Sequence, residues 1–120
     1  MNKTSAENAS ASVILITAQR MHRLALQRGY YFYTNLFKNP TWLIMLNLFV
    51  SELSNLPANA ASLKLANRLT DEELQSALEQ LAGAGMVLLE DDDLVSLSPL
   101  GSKQMNGFIR EILKSRESEG

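Results

Sequence analysis

The fold of this chain is decided by the segment TDEELQSALEQLAGAGMVLLEDDDLVSLSPLG, which occupies residues 70–101. Thr70 and Glu73 have the spacing of a capping box, in which each side chain bonds a backbone amide at the start of a helix. Gly83 and Gly85 are typical of a helix end. The segment therefore begins with a capped helix, whose apolar face consists of Leu74, Ala77, Leu78 and Leu81.

The second half of this segment predicts a β-hairpin followed by another helix. Residues 86–89 and 94–97 are short apolar runs of strand character, and the four acidic residues 90–93 separate them. Ser98-Pro99 then begins a helix, and the chain becomes polar from Ser115. The apolar face of this helix consists of Met105, Phe108, Ile109, Ile112 and Leu113.

Two more helices are predicted upstream of the segment. Asn39 suits the cap position of a helix and Pro40 its first turn. Apolar residues then recur at helical spacing: Trp42, Leu43, Met45, Leu46, Phe49, Val50 and Leu53. The sequence LPAN at residues 56–59 breaks this helix. A short helix over residues 60–69 follows, with Leu63, Leu65, Ala66 and Leu69 as candidate core contacts.

The N-terminal part of the chain predicts a helical arm. Residues 1–9 are small and polar, which is typical of a disordered tail. A broad apolar stripe extends from Ser10 to Arg28, and Gly29 is expected to end the helix. An apolar helix face has to be buried, and we expect it to be buried against a second copy of the chain. The alternative is that the arm folds back on its own core.

An aromatic cluster, Tyr30-Tyr31-Phe32-Tyr33, links the arm to the rest of the chain. We expect these rings to pack in the core or in an interface. Base stacking, as in single-strand binders, is the alternative. The domain organisation predicted is a tail over residues 1–9, an arm and linker over 10–38, and a compact domain with its C-terminal helix over 39–116.

Composition excludes several classes of function. The 120 residues are 46% apolar, with a formal net charge of −2, no cysteine and one histidine, His22. Disulfides, thiol chemistry and multi-histidine metal sites are therefore excluded. No glycine-rich phosphate loop or serine elbow is present, and His22 is expected to be solvated, so we predict no enzyme, no catalytic residue, no metal and no cofactor. The longest N-terminal apolar run, residues 13–16, is too short for a membrane span, and it has little of the character of a signal-peptide cleavage site. The sequence therefore predicts a cytoplasmic protein without membrane contact.

Three phrases of the sequence resemble the MarR-type family of bacterial regulators. LEQLAGAGMV at residues 78–87 is similar to the end of that family's recognition helix. LSPLG at residues 97–101 is similar to the start of the helix after the wing. YFYTNLFKNPTW at residues 31–42 resembles a phrase that precedes the first core helix in a subset of the family. The resemblance covers residues 30–112.

The resemblance implies a mainly α-helical fold with a small β-hairpin wing, namely a winged helix-turn-helix with N- and C-terminal dimerisation helices. It implies a homodimeric transcriptional regulator that places its third helix in the major groove of double-stranded DNA and its wing along the backbone. In many members a small-molecule effector releases the DNA. The dimer interface predicted here consists of Val13, Ile16, Met21, Leu24, Phe108 and Ile112.

Charge in the two expected DNA-contact elements opposes DNA binding. The predicted recognition helix begins Asp71-Glu72-Glu73, the wing carries the acids 90–93, and no basic residue lies between Arg68 and Lys103. A like-charge contact at about 4 Å costs on the order of 1 kcal/mol in a high-dielectric, water-like setting. The alternative role of these acids is to stabilise a helix start and a turn. Lys64 and Arg68, on one helix face, are the candidate phosphate contacts. The candidate base contacts are Gln75, Ser76, Glu79 and Gln80, and Thr70 at the helix start is a further DNA-binding candidate.

Two functions are compatible with this sequence. The first is a DNA-binding transcriptional regulator that acts as a homodimer. The second is a winged-helix module that has lost DNA binding and contacts a basic protein partner through Glu72, Glu73 and residues 91–93.

Overall fold

The computed structural model describes residues 10–32 and 38–119, with side chains for residues 10–28 and 38–116. Five helices and three short strands follow one another in this part of the chain. In chain order they are α1 (Ala11–Phe32), α2 (Pro40–Leu53), β1 (Ala58–Asn59), α3 (Ala60–Ala66), α4 (Asp71–Gly83), β2 (Val87–Leu89), β3 (Leu94–Leu97) and α5 (Pro99–Glu119). The predicted mainly helical fold with a small antiparallel hairpin is confirmed.

The central helix of the molecule is α2, which contacts α1, α4, α5 and β3. Asn39 caps it by accepting a hydrogen bond from the Trp42 amide, and Pro40 occupies its first turn, as predicted. The helix is apolar on most of its circumference because neighbours cover it on several sides. Its buried residues are Leu43, Ile44, Met45, Leu46, Leu48 and Phe49.

A three-stranded antiparallel sheet of strand order β1-β3-β2 contacts α2 through its middle strand, β3. The predicted hairpin forms with Val87 opposite Leu97 and Leu89 opposite Val95. The segment at residues 56–59, predicted only to break a helix, also supplies the third strand, because Ala58 and Asn59 pair with Val95 and Leu94.

The N-terminal helix α1 folds onto the core of its own chain. Ile14 and Ala18 are fully buried, and Met21 and Ala25 pack against the same core. The self-packing alternative therefore accounts for this face. A second edge of α1 stays exposed and carries Val13, Ile16 and Leu24.

Three element boundaries differ from those predicted. Helix α1 continues through Gly29 to Phe32, since one glycine inside a helix costs only about 1 kcal/mol. Helix α3 ends at Ala66 instead of residue 69, because the backbone of Arg68 is left-handed with φ 54°. Helix α5 continues beyond Ser115 to Glu119. The tail at residues 1–9 and the side chains of the aromatic cluster lie outside the described residues.

No helix within residues 10–32 and 38–119 combines the length and apolar character that crossing a membrane requires.

Candidate functional site

The predicted DNA-binding residues lie on or beside a unit made of α3, a turn at residues 67–70, and α4. Asn59 and Ser62 form a reciprocal capping box at the start of α3. Thr70 and Glu73 form the predicted one at the start of α4: the Glu73 amide donates to Thr70 Oγ1 at 3.0 Å, and the Thr70 amide donates to Glu73 Oε1 at 2.9 Å. Thr70 thus has a structural role, and the two caps fix where each helix begins.

A buried asparagine anchors the turn to the rest of the molecule. Asn67 has no exposed surface, and its Nδ2 donates to Asn47 Oδ1 of α2 at 3.0 Å and to the Leu63 carbonyl at 2.9 Å. Its Oδ1 lies 2.6 Å from Nε2 of His22 on α1. His22, predicted to be solvated, is therefore half-buried and hydrogen-bonded. His22 and Asn47 are 45 and 20 positions from Asn67, so no local pattern indicates these two contacts.

Two of the three acids at the start of α4 are neutralised by lysines of the same chain. Asp71 pairs with Lys64 of α3 at 2.7 Å, and Glu73 pairs with Lys38 at 2.8 Å. Lys38 Nζ also donates to the Arg68 carbonyl at 2.7 Å. The hydrogen bond from Lys38, with that from the Thr70 amide, lowers the pKa of the Glu73 carboxyl. Glu72 makes no ion pair with any described residue.

Lys64 and Arg68 do not share a helix face, which corrects the prediction made from their spacing. Lys64 lies on α3, whereas Arg68 lies beyond the end of α3 in the left-handed turn. Both side chains still line the same surface pocket of about 480 Å³, whose other walls are Ala61, Leu65 and Leu69. Leu65 is 83% exposed in this pocket.

The exposed face of α4 carries the polar residues predicted to face bases. Gln75 Nε2 donates to Glu79 Oε2 at 3.3 Å, and Gln80 Nε2 donates to Ser76 Oγ at 3.1 Å. All four side chains are exposed, and no core contact occupies them. This face presents amide donors and acceptors together with one carboxylate, and it contains no basic residue.

The turn of the β2–β3 hairpin is acidic and unneutralised. Residues 90–93 are all exposed, and among the described residues none of these four carboxylates takes part in an ion pair. Asp92 and Asp93 have φ values of 62° and 58°, which aspartate tolerates better than most residues. Within the described part of the chain, no group of three potential ligands is placed to hold a metal ion.

The two phrases at residues 78–87 and 97–101 meet at one junction beside the hairpin. Gly85 is left-handed with φ 78°, and its carbonyl accepts from Ser98 Oγ at 2.6 Å. Ser98 Oγ also accepts from the Gly101 amide at 2.9 Å, which caps α5. A Cβ at Gly101 would lie 2.2 Å from the Met86 carbonyl oxygen, so α5 can approach the backbone just before β2 this closely only at a glycine.

The residues predicted for the dimer interface fall into two groups. Val13, Ile16 and Leu24 are 41%, 54% and 57% exposed on one edge of α1. Phe108 of α5 is also exposed, although its ring packs edge-to-face on Trp42 with centroids 5.6 Å apart. Met21 and Ile112 are half-buried, and Met21 packs on the core of its own chain.

Comparison of the chain with protein-family models, with curated proteins and with solved structures finds no match.

Proposed function

We propose that this protein is a winged helix-turn-helix transcriptional regulator that binds double-stranded DNA as a homodimer. The observation that carries the proposal is the exposed polar face of α4. Helix α4 follows a tight turn after α3 and precedes the β2–β3 hairpin. In this arrangement α4 is the recognition helix and the hairpin is the wing. Gln75 and Gln80 have the amide groups that pair with adenine in the major groove.

The ion pairs at the start of α4 reduce the electrostatic objection to this function. Asp71 and Glu73 each have a lysine partner within 3 Å, so the first turn does not present three uncompensated charges to phosphate. The positive end of the helix dipole further favours acids there. The neutralised helix start supports DNA binding, whereas the acidic wing tip still opposes it.

Selection from a randomised duplex library with the purified chain tests this function. At about 50 mM salt, where phosphate contacts are strongest, we expect retained duplexes to share a motif. Replacing Gln75 and Gln80 by alanine should weaken the preference for particular bases within that motif. Each lost bidentate contact should reduce the discrimination against a wrong base by about 1–3 kcal/mol. Gln104→Ala, an exposed glutamine of α5, is the matched control and should leave the motif intact. Failure of a folded dimer to retain any duplex would overturn the regulator proposal.

A protein-contact module is the second candidate, and the wing tip favours it. Residues 90–93 form an exposed run of four acids with no described cation beside them, which suits a basic protein surface. Crosslinking in cells that express the wild-type chain or the triple variant Asp91→Asn, Asp92→Asn, Asp93→Asn tests this function. We expect the triple variant to lose its crosslinked partners, with Glu111→Gln on α5 as the control. An unchanged set of partners would exclude this candidate.

A further inference from the structure

Basic side chains from three elements line two adjoining pockets around the turn at residues 67–70. One pocket, of about 340 Å³, is lined by Arg23, Leu26 and Gln27 of α1 together with Arg68 of the turn. Arg68 also lines the pocket of about 480 Å³ on α3 that contains Lys64. Arg23, Arg68 and Lys64 therefore form a continuous cationic strip across the turn, with Arg68 shared by both pockets.

The polar anchor described above holds the strip together. Arg23 directly follows His22, and Arg68 directly follows Asn67, whose side chain is completely buried. The 2.6 Å hydrogen bond between His22 Nε2 and Asn67 Oδ1 therefore fixes α1 against the turn, next to the pocket that both arginines line. Such preorganisation lowers the entropic cost of binding a ligand between them.

The left-handed backbone of the turn does not require an arginine at position 68. Four non-glycine residues have positive φ in the described part of the chain, and three of them are asparagine or aspartate, which tolerate this conformation. The fourth is Arg68, with φ 54°. Its backbone carbonyl, which any residue would supply, accepts the hydrogen bond from Lys38. The long cationic side chain is thus present at a position where glycine or asparagine would fit with less strain.

The chemistry of the strip matches the phosphate backbone of a duplex. A guanidinium group binds phosphate oxygens in a bidentate manner and keeps its charge at all relevant pH values. Lys64 is paired with Asp71, but its ammonium group has three donors and its side chain is 42% exposed, so it can bind a phosphate oxygen while it keeps that contact. We propose that Arg23, Arg68 and Lys64 hold the DNA backbone, so that phosphate binding comes from α1, the turn and α3 and not from the acidic wing. This inference rests on the proposed DNA-binding function.

The test is the salt dependence of duplex binding, measured by fluorescence anisotropy with a random-sequence duplex between 50 and 200 mM salt. Each phosphate contact contributes about 0.9 to the slope of log K against log salt. Arg23→Gln and Arg68→Gln should each reduce that slope by about one and weaken binding about threefold to fivefold at 50 mM. Arg23→Lys should keep most of the slope because it keeps the charge.

The matched control is Arg28→Gln. Arg28 is an exposed arginine of α1, about 140° around the helix from Arg23, and its substitution should leave the slope unchanged. If the wild-type chain binds duplex while both Arg23→Gln and Arg68→Gln keep its slope, the strip inference is overturned and the proposed function stands. If the folded wild-type chain binds no duplex, both are overturned.

Discussion

At the scale of single residues, Gly101 is required by a backbone contact. Its missing Cβ would lie 2.2 Å from the Met86 carbonyl oxygen, and that oxygen also accepts the hydrogen bond of the Ser98 amide. Gly101→Ala must therefore displace α5 from the Met86 backbone or break that bond. We expect it to lower the free energy of unfolding by about 2 kcal/mol, a typical cost of overpacking. Urea denaturation monitored by circular dichroism measures this loss.

Gly107→Ala is the control for this substitution. Gly107 lies in the interior of the same helix, and a Cβ there would meet nothing within 4 Å. Alanine should stabilise the helix at that position by about 0.5–1 kcal/mol. Equal changes in the free energy of unfolding for the two substitutions would show that the contact with Met86 does not determine the effect of Gly101→Ala.

A second prediction at this scale concerns the ion pair between Glu73 and Lys38. The pKa of Glu73 is lowered in the folded chain, so the pair contributes stability above the unfolded pKa of about 4.3 and loses it as the pH falls through the folded pKa. Glu73→Gln keeps a capping oxygen but loses the charge. We expect a loss of about 0.5–1 kcal/mol at pH 7 that disappears at low pH.

Glu72→Gln is the control in the same titration. It distinguishes the loss of the Lys38–Glu73 ion pair from the loss of a negative charge near the positive end of the helix dipole. Glu72 is in the same first turn and has no ion-pair partner among the described residues. Urea unfolding of both variants between pH 3 and 7 gives the comparison. A difference between wild type and Glu73→Gln that stays constant over this range would contradict the role of the carboxylate.

At the scale of helices and strands, the sequence predicts the features that depend on residues close together in the chain. The capping pair Thr70 and Glu73 and the apolar spacing of α4 act within one or two turns, so the start and buried face of this helix agree with the prediction. Strand β1 has only two residues and exists because β3 supplies its partners, 35 or more positions along the chain. Its formation depends on tertiary contact, which sequence pattern does not report.

The candidate site shows the same division between local and long-range information. The exposed amides of α4 follow from helical periodicity, since they lie opposite its apolar face. The contacts Lys38–Glu73 and His22–Asn67 join residues 35 and 45 positions apart. No spacing rule reaches that far, so neither the Lys38 partner of Glu73 nor the role of His22 follows from the sequence. Arg23 was likewise absent from the predicted site, because only the packing of α1 on the turn brings it beside Arg68.

The wing tip gives the prediction that belongs to this scale. Asn tolerates the left-handed conformation of Asp92 and Asp93, so the double variant Asp92→Asn, Asp93→Asn should keep the hairpin while removing two charges. If the wing lies along a duplex, binding should tighten about threefold at 50 mM salt. The gain should vanish at high salt, where screening removes the repulsion. Anisotropy titrations at both salt concentrations measure it, and unchanged binding at 50 mM would place the wing away from the backbone.

At the scale of the whole molecule, the exposed edge of α1 is the feature that one chain leaves unexplained. Ile14 and Ala18 bury one face of this helix on α2 and α5, yet Val13, Ile16 and Leu24 remain outside within an arc of about 80°. Phe108 adds an exposed ring on α5, the other helix predicted for the interface. A self-complementary contact about a twofold axis would cover the same apolar edge on both copies.

We expect the chain to be a dimer in solution and Ile16→Glu to shift it to monomer, since a charge in a closed apolar interface is costly without a partner. Leu65→Glu is the control, because Leu65 is the most exposed large apolar residue described and lies on α3, outside the predicted interface. Sedimentation equilibrium gives both masses. A monomeric wild-type chain, or equal masses for wild type and Ile16→Glu, would contradict the α1 interface. Because the proposed regulator contacts two half-sites with two recognition helices, Ile16→Glu should also weaken duplex binding without changing the surface of α4.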